Sequence, residues 1–329
     1  MLALTRADVQ RLAPMPDAIQ LMKEAFAELS AGRTASPLRT VIPVEEHHGD
    51  ALFMPAHVPA MDALGVKLVN VFKDNPARGL PVIHALVCLI DAETGVPIAV
   101  MDGTYLTALR TGAVSGAATD LLARADSRTL VAIGAGAQGA TQIAAVCAVR
   151  PIERVIAVDV FPAALDRLRG ILEGDWPEVL NRVEYSTDAS AAVRQADVIC
   201  TATTSRTPVF DAADVRPGTH VNAVGAYTPE MQELPADLVA SATVVLDAVE
   251  AALAEAGDLI IPLNEGKVER GRFGRELGQI AAGTAPGRTS DAEVTLFKSV
   301  GNAVQDVVVG RRVYDRALAE GAGIVFDLG

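Results

Sequence analysis

Three basic residues stand where a charge is expensive. Lys67 lies inside the apolar run LGVKLVNV, Arg110 among the small residues of TYLTALRTGAVSGAAT, and Arg39 in SPLRTVIPV. A buried ammonium or guanidinium must meet an anion or lose its charge. Lys67 therefore either faces a polar pocket or is an edge-strand lysine reaching solvent. Arg110 either grips an anionic ligand or closes an intrachain ion pair. Arg39 reads as a turn residue or as a third ligand of the same anion. His84, alone in VIHALVCLID, reads more readily as a satisfied core group than as a catalyst. EEHHGD invites a metal reading. Against it, adjacent histidines on a strand point to opposite faces, and a solvated hairpin tip accounts for the charges, so no metal is expected. Hydrolase and kinase readings find no support, because G-x-S-x-G, reactive-cysteine and Walker-type patterns are missing from the sequence.

A second set of residues could hold a nucleotide. LVAIGAGAQGATQIAAVCAV reads as a strand, a tight turn and a small-residue helix, with Gly134, Gly136 and Gly139 at G-x-G-x-x-G spacing. The first glycine suits the turn, the second lets a pyrophosphate approach the backbone, and the third allows close helix packing. The pyrophosphate would rest on the free N–H groups of the following helix. Asp159 ends the next apolar run, where a carboxylate accepts from adenosine ribose hydroxyls and repels a 2′-phosphate. NAD(H) is favoured on that ground. NADP(H) stays open because Arg167 and Arg169 lie nearby.

These groups need elements to carry them. A helix over Met15–Ser30 is expected from the apolar spacing of Ile19, Met22, Phe26 and Leu29. Short strands follow at Arg39–Pro43, Ala51–Met54, Leu64–Val71 and Ile83–Asp91, suggesting a separate antiparallel domain. A helix over Tyr105–Leu122 leads to the break RADSR. From Thr129 to about Asp247 strand and helix alternate, the pattern of a parallel sheet. Asp291–Glu320 reads as one long helix.

Composition narrows the partners. Net charge is −13, from 41 acids against 28 bases, with no basic block, which argues against nucleic acid. Cys88, Cys147 and Cys200 each lie in apolar runs, so they read as small buried hydrophobes in a reducing cytoplasm. MLALTRADVQRL is too short and too polar for a signal peptide, and no apolar run is long enough to span a membrane.

The motifs VMDGTYLTALRTGAVSGAAT, IGAGAQG and TLFKSVGNAVQD, with PLRTVIPV, FMPA, GVKLVNVF and CTATTS, occur in an order that resembles the ornithine cyclodeaminase/mu-crystallin family. The resemblance implies an α/β protein: a Rossmann-type doubly wound parallel sheet plus an α+β substrate and dimerisation domain, assembled as a homodimer. Residues 1–122, completed by 300–329, would form the substrate domain, and 123–299 the nucleotide domain. By matching motif, Arg39, Lys67 and Arg110 would hold the substrate carboxylate and its amine or imine. Thr111, Ala137, Gln138, Asp159, Thr201, Ala202, Thr203, Val224 and Ser299 would line the dinucleotide site. Met54, His84 and Tyr227 are candidates for the substrate pocket.

Deaminating members of this family carry an aspartate after the fifth Rossmann strand; GAYTPEMQEL has Tyr227 there. A second acidic position before the MP step is Leu52 or Phe53 here. The loss of both carboxylates points to the branch reducing cyclic ketimines, Δ1-pyrroline-2-carboxylate or Δ1-piperideine-2-carboxylate, to L-proline or L-pipecolate. Lys67 would then supply the imine proton, with His84 or Tyr227 as its relay. The rival readings are an ornithine-closing lyase with recycled NAD, an alanine-type dehydrogenase, and a slow nucleotide- and ligand-binding protein of the mu-crystallin kind.

Overall fold

The computed structural model describes residues 1–327 and separates into two compact units. Unit 1 comprises Met1–Arg110 and the segment from Asn302 onward; unit 2 is Thr111–Gly301. The division falls inside the helix Gly103–Leu122 and at Gly301, whereas the sequence reading sets it at 122/123 and 299/300. Contacts within unit 2 explain the earlier boundary. Gln142 Nε2 donates to the Thr111 carbonyl at 3.2 Å, and a Cβ on Gly112 would meet the Thr141 carbonyl oxygen at 2.5 Å.

Unit 1 contains β1 (Leu2–Leu4), β2 (Thr40–Val44), β3 (Gly49–Val58), β4 (Ala63–Phe72), β5 (Ile83–Ile90) and β6 (Pro97–Asp102). With the strand Ile324–Val325 they form, among the described residues, a seven-stranded sheet in which that strand leads the order, followed by β1-β6-β5-β4-β3-β2. Every pairing is antiparallel except β1 with β6, so the domain is mixed and not wholly antiparallel. β3 runs on past Pro55, which lies beyond Phe53, the last residue of β3 paired with β2. The missing N–H there interrupts no β2 ladder. β4 alternates cleanly. Ala63, Gly65, Lys67 and Val69 are buried, while Leu64, Val66, Leu68 and Asn70 are half-buried on the other face. The helices Met15–Ser30 and Ala303–Glu320 pack together, and the second also lies on β3, β4 and β5.

Unit 2 holds β7 (Thr129–Ile133), β8 (Arg154–Val158), β9 (Val183–Ser186), β10 (Val198–Thr201), β11 (His220–Ala223), β12 (Thr243–Leu246) and β13 (Thr295–Lys298). The unit 1 strand Ile324–Val325 is β14. The unit 2 strands are parallel, in the order β12-β13-β11-β10-β7-β8-β9. Apolar residues cover both faces, with Val131, Ile199 and Val221 in one cluster and Leu130, Val198 and Cys200 in the other. Such a doubly covered sheet explains the continuous apolar runs in the sequence.

The single helix expected over Asp291–Glu320 does not form. Thr295–Lys298 is buried β13, between β11 and β12, and the helix starts only at Ala303. Gly301 (φ +84°) turns the chain, and the Asn302 side chain caps the helix by accepting from Val304 N at 3.0 Å. All three cysteines are free thiols. Cys200 is buried, but Cys88 and Cys147 are only half-buried. Burial pushes Cys147 up to about 11 and Cys200 up to about 12, which makes both poor nucleophiles.

Candidate active site

The β4 pleat directs Lys67 to the buried face, where it pairs across the strands with Met54 on one side and Val87 on the other. The lysine is 1% exposed and its Nζ lies 2.7 Å from Asp306 Oδ2. Arg110 completes the cluster: Nε lies 3.1 Å from Asp306 Oδ1, and Nη1 donates to Gln305 Oε1 at 2.9 Å. Two cations thus share one fully buried carboxylate. Burial is the main influence on Lys67; with Arg110 and, more weakly, Arg39 it outweighs the opposing pull of Asp306, and together they bring the ammonium down to about 7. The alternatives left open by the sequence are resolved in part. Lys67 does not reach solvent, Arg110 does form an intrachain ion pair, and Arg39 lies close enough for its charge to act on Lys67.

Asp306 and Gln305 escaped the sequence reading. Both belong to the first turn of Ala303–Glu320, where a carboxylate is favoured by the helix dipole. Gln305 also closes a capping box, accepting from Asn302 N at 2.9 Å. The N-x-x-Q pattern in GNAVQD was the available signal, hidden by reading the helix as continuous.

The other proposed pocket residues part company. Met54 is buried on the Lys67 face. His84 pairs with Asn70, which places it on the opposite face of the sheet, and it is exposed. It is therefore neither a core histidine nor brought to Lys67 within this chain. Tyr227 is half-buried against the apolar core of unit 2. His47 and His48 lie at the turn between β2 and β3, where His48 Nδ1 meets Asp74 Oδ2 at 2.7 Å.

Unit 2 builds an anion cradle. Gly134 has φ +106°, and a Cβ there would meet the Ala202 carbonyl oxygen at 2.6 Å. A Cβ on Gly139 would meet the Gly134 carbonyl oxygen at 2.2 Å, whereas one on Gly136 meets nothing within 4 Å. The first and last glycines thus serve the turn and the packing, and the middle one leaves open space. No side chain caps the helix Ala137–Val149 at Gly136, so its first N–H groups are available to an anion. Asp159 is fastened beside the turn, with Oδ2 accepting from Ala135 N and Oδ1 from Phe161 N, both at 2.9 Å. Strand order reverses between β7 and β10, so the crevice expected of this topology opens at their carboxyl ends.

Around that crevice, Ala202 N donates to the Ile133 carbonyl and Val224 N to the Thr201 carbonyl. Gln138 Oε1 and Thr201 Oγ1 are buried without a hydrogen-bond partner, as groups awaiting a polar ligand would be. Thr111 is buried; Thr203 is tied to Glu233, and Ser299 donates to Asp247 Oδ2 at 2.7 Å. The open glycine, the uncapped helix start and the orphaned polar atoms fit the pyrophosphate and riboses of a dinucleotide.

Comparison with known proteins agrees with this geometry. The model of the ornithine cyclodeaminase/mu-crystallin family matches residues 1–321. A Δ1-pyrroline-2-carboxylate reductase from Bacillus cereus is 42% identical over 325 residues, 98% of each chain. The structure of the Thermococcus litoralis Δ1-pyrroline-2-carboxylate reductase in complex with NADH and L-proline superposes with a TM-score of 0.94 at 40% identity, covering 99% of this chain and 100% of that one. An archaeal alanine dehydrogenase dimer with bound NAD gives a TM-score of 0.91 at 37% identity, over 100% and 99% of the two chains. The buried lysine–arginine–aspartate cluster and the glycine cradle therefore belong to a member of the ornithine cyclodeaminase/mu-crystallin family.

Proposed function

We propose that this chain reduces the cyclic ketimine Δ1-pyrroline-2-carboxylate to L-proline with NAD(P)H, NAD(H) being the favoured cofactor. The observation that carries the reading is Lys67, buried beside Arg110 and Asp306 and held near pKa 7. A proton donor is most effective when its pKa lies near the working pH. When bound, the dihydronicotinamide supplies the hydride that forms the new C–H bond at C2 of the ring. Lys67 gives its proton to the ring nitrogen, so that the C=N bond becomes an iminium and then, on gaining the hydride, a secondary amine. Arg110 and Arg39 pair with the substrate carboxylate. A guanidinium has five N–H donors, enough for Asp306, Gln305 and a substrate oxygen. Gln138, Thr201–Thr203, Val224 and Ser299 would line the dinucleotide, and Asp159 would accept from its ribose hydroxyls.

The protein is expected to act as a homodimer in the cytoplasm. Among the described residues no helix is long and apolar enough to cross a membrane. The sheet face turned away from Lys67 bears Ile42, Phe53 and Leu86, 51%, 37% and 40% exposed. A second copy would cover them.

The test is NADH and NADPH oxidation with Δ1-pyrroline-2-carboxylate, run beside ornithine-dependent ammonia release. Imine-dependent oxidation without ammonia is expected; ammonia from ornithine with no imine reduction would overturn the reading. The likeness to an alanine dehydrogenase supports a second reading. It predicts NADH oxidation with pyruvate and ammonia outpacing that with the imine.

A further inference from the structure

Behind the dinucleotide cradle lies a buried carboxylate with no part in the chemistry above. Glu233 is fully buried in unit 2. Its Oε1 accepts from Thr203 N at 2.6 Å and Thr203 Oγ1 at 2.9 Å. Its Oε2 accepts from Gly225 N at 2.8 Å and Ala226 N at 3.0 Å. One side chain thus satisfies donors from two loops, those leaving the carboxyl ends of the neighbouring strands β10 and β11. Glycine is needed opposite it, because a Cβ on Gly225 would meet Glu233 Oε1 at 2.4 Å and the Thr203 carbonyl oxygen at 2.3 Å.

The glutamate is itself held from behind. Glu233 N and Leu234 N donate to Asp258 Oδ1 at 2.7 and 2.9 Å. Asp258 Oδ2 meets Lys298 Nζ at 2.8 Å, with both side chains fully buried. Lys298 ends β13 and immediately precedes Ser299, whose hydroxyl and the next two backbone N–H groups point to Asp247 Oδ2. A continuous polar network therefore joins the three segments expected to line the dinucleotide: Thr201–Thr203, Val224 and Ser299. Burial and the neighbouring Asp258 push the Glu233 carboxyl above the usual carboxylate range, while Lys298 and the Thr203 donors oppose them.

We propose that Glu233 is a positioning residue of the dinucleotide site, locking the loops after β10 and β11 into the shape that receives the cofactor. The proposal rests on the dinucleotide reading given above. Only a carboxylate offers acceptors on both sides. Glutamine at this place would turn its amide NH2 toward one loop and leave buried N–H groups facing N–H groups.

The experiment is titration of the intact protein with NADH, followed by nicotinamide fluorescence, so that no turnover is needed. Glu233→Gln should weaken NADH binding about tenfold or more, the loss expected when buried donors go unmet. Glu233→Asp, which keeps the charge but is too short to serve both loops, should also weaken it. The KM for the imine should stay near its wild-type value. Leu172→Ala, a cavity in the other apolar cluster of unit 2, is the control for general destabilisation. It should lower the melting temperature without changing NADH affinity. If both Glu233 variants bind NADH within about twofold of wild type, or Leu172→Ala weakens binding equally, Glu233 is not a positioning residue. Wild-type protein that binds no NADH would instead overturn the dinucleotide reading itself.

Discussion

Lys67 owes its usefulness to an imbalance of charges. Burial and Arg110 draw its proton affinity down and Asp306 draws it back, with the result near neutrality. Acting as the proton donor, it is active while protonated, so kcat/KM for the imine should fall as pH rises through about 7. Asp306→Asn removes the carboxylate that restores the proton, leaving burial, Arg110 and Arg39 unopposed. The falling limb of the pH–rate profile should move to lower pH. Stability should drop by about 3–5 kcal/mol, because two buried cations lose their shared partner. A pH–rate profile and a denaturant titration check the two effects separately. An unshifted limb in a folded Asp306→Asn protein would remove Lys67 from the role of proton donor.

At the scale of the element, the turn from β7 into the helix Ala137–Val149 separates fold from function within six residues. Gly139→Ala drives a methyl group into the Gly134 carbonyl, a backbone atom that cannot swing aside. It should cost about 1–3 kcal/mol of stability as well as dinucleotide affinity. Gly136→Ala meets nothing in the protein, and its φ of −88° suits any residue. Its methyl group would occupy only the space left for the pyrophosphate. The expected result is an unchanged melting temperature with NADH binding weakened at least tenfold, measured by thermal unfolding and by titration. Equal losses of stability in the two variants would show that Gly136 serves the turn and not the ligand.

For the whole molecule, the exposed apolar side of the unit 1 sheet is the feature a lone chain leaves unexplained. Ile42, Phe53 and Leu86 lie on the face opposite Lys67, and contiguous apolar patches of this kind mark association surfaces. Leu86→Glu should convert a dimer to monomers in light scattering. NADH titration of the resulting monomer should be little changed, since the cradle lies wholly within unit 2. A wild-type protein that is already monomeric would leave this face without its proposed occupant.

The sequence by itself determined what is local. The Met15–Ser30 helix, β7 and the three glycine positions follow from spacing along one stretch of chain, and each appears in the structure where that spacing puts it. The unusual setting of Lys67 and Arg110 was equally legible, because a charge within an apolar run demands a partner wherever it folds. Which partner it finds was decided by tertiary structure. Asp306 lies 196 residues beyond Arg110 and meets both cations only because the helix Ala303–Glu320 lies on β4. The same dependence hid β13, whose apolar run fits helix or strand until β11 and β12 flank it. It also misled on His84, since which face of a sheet a residue takes depends on its register with the neighbouring strand. Glu233 was invisible for a related reason: its meaning lies in the two loops it joins, and nothing in the residues around it records that they meet.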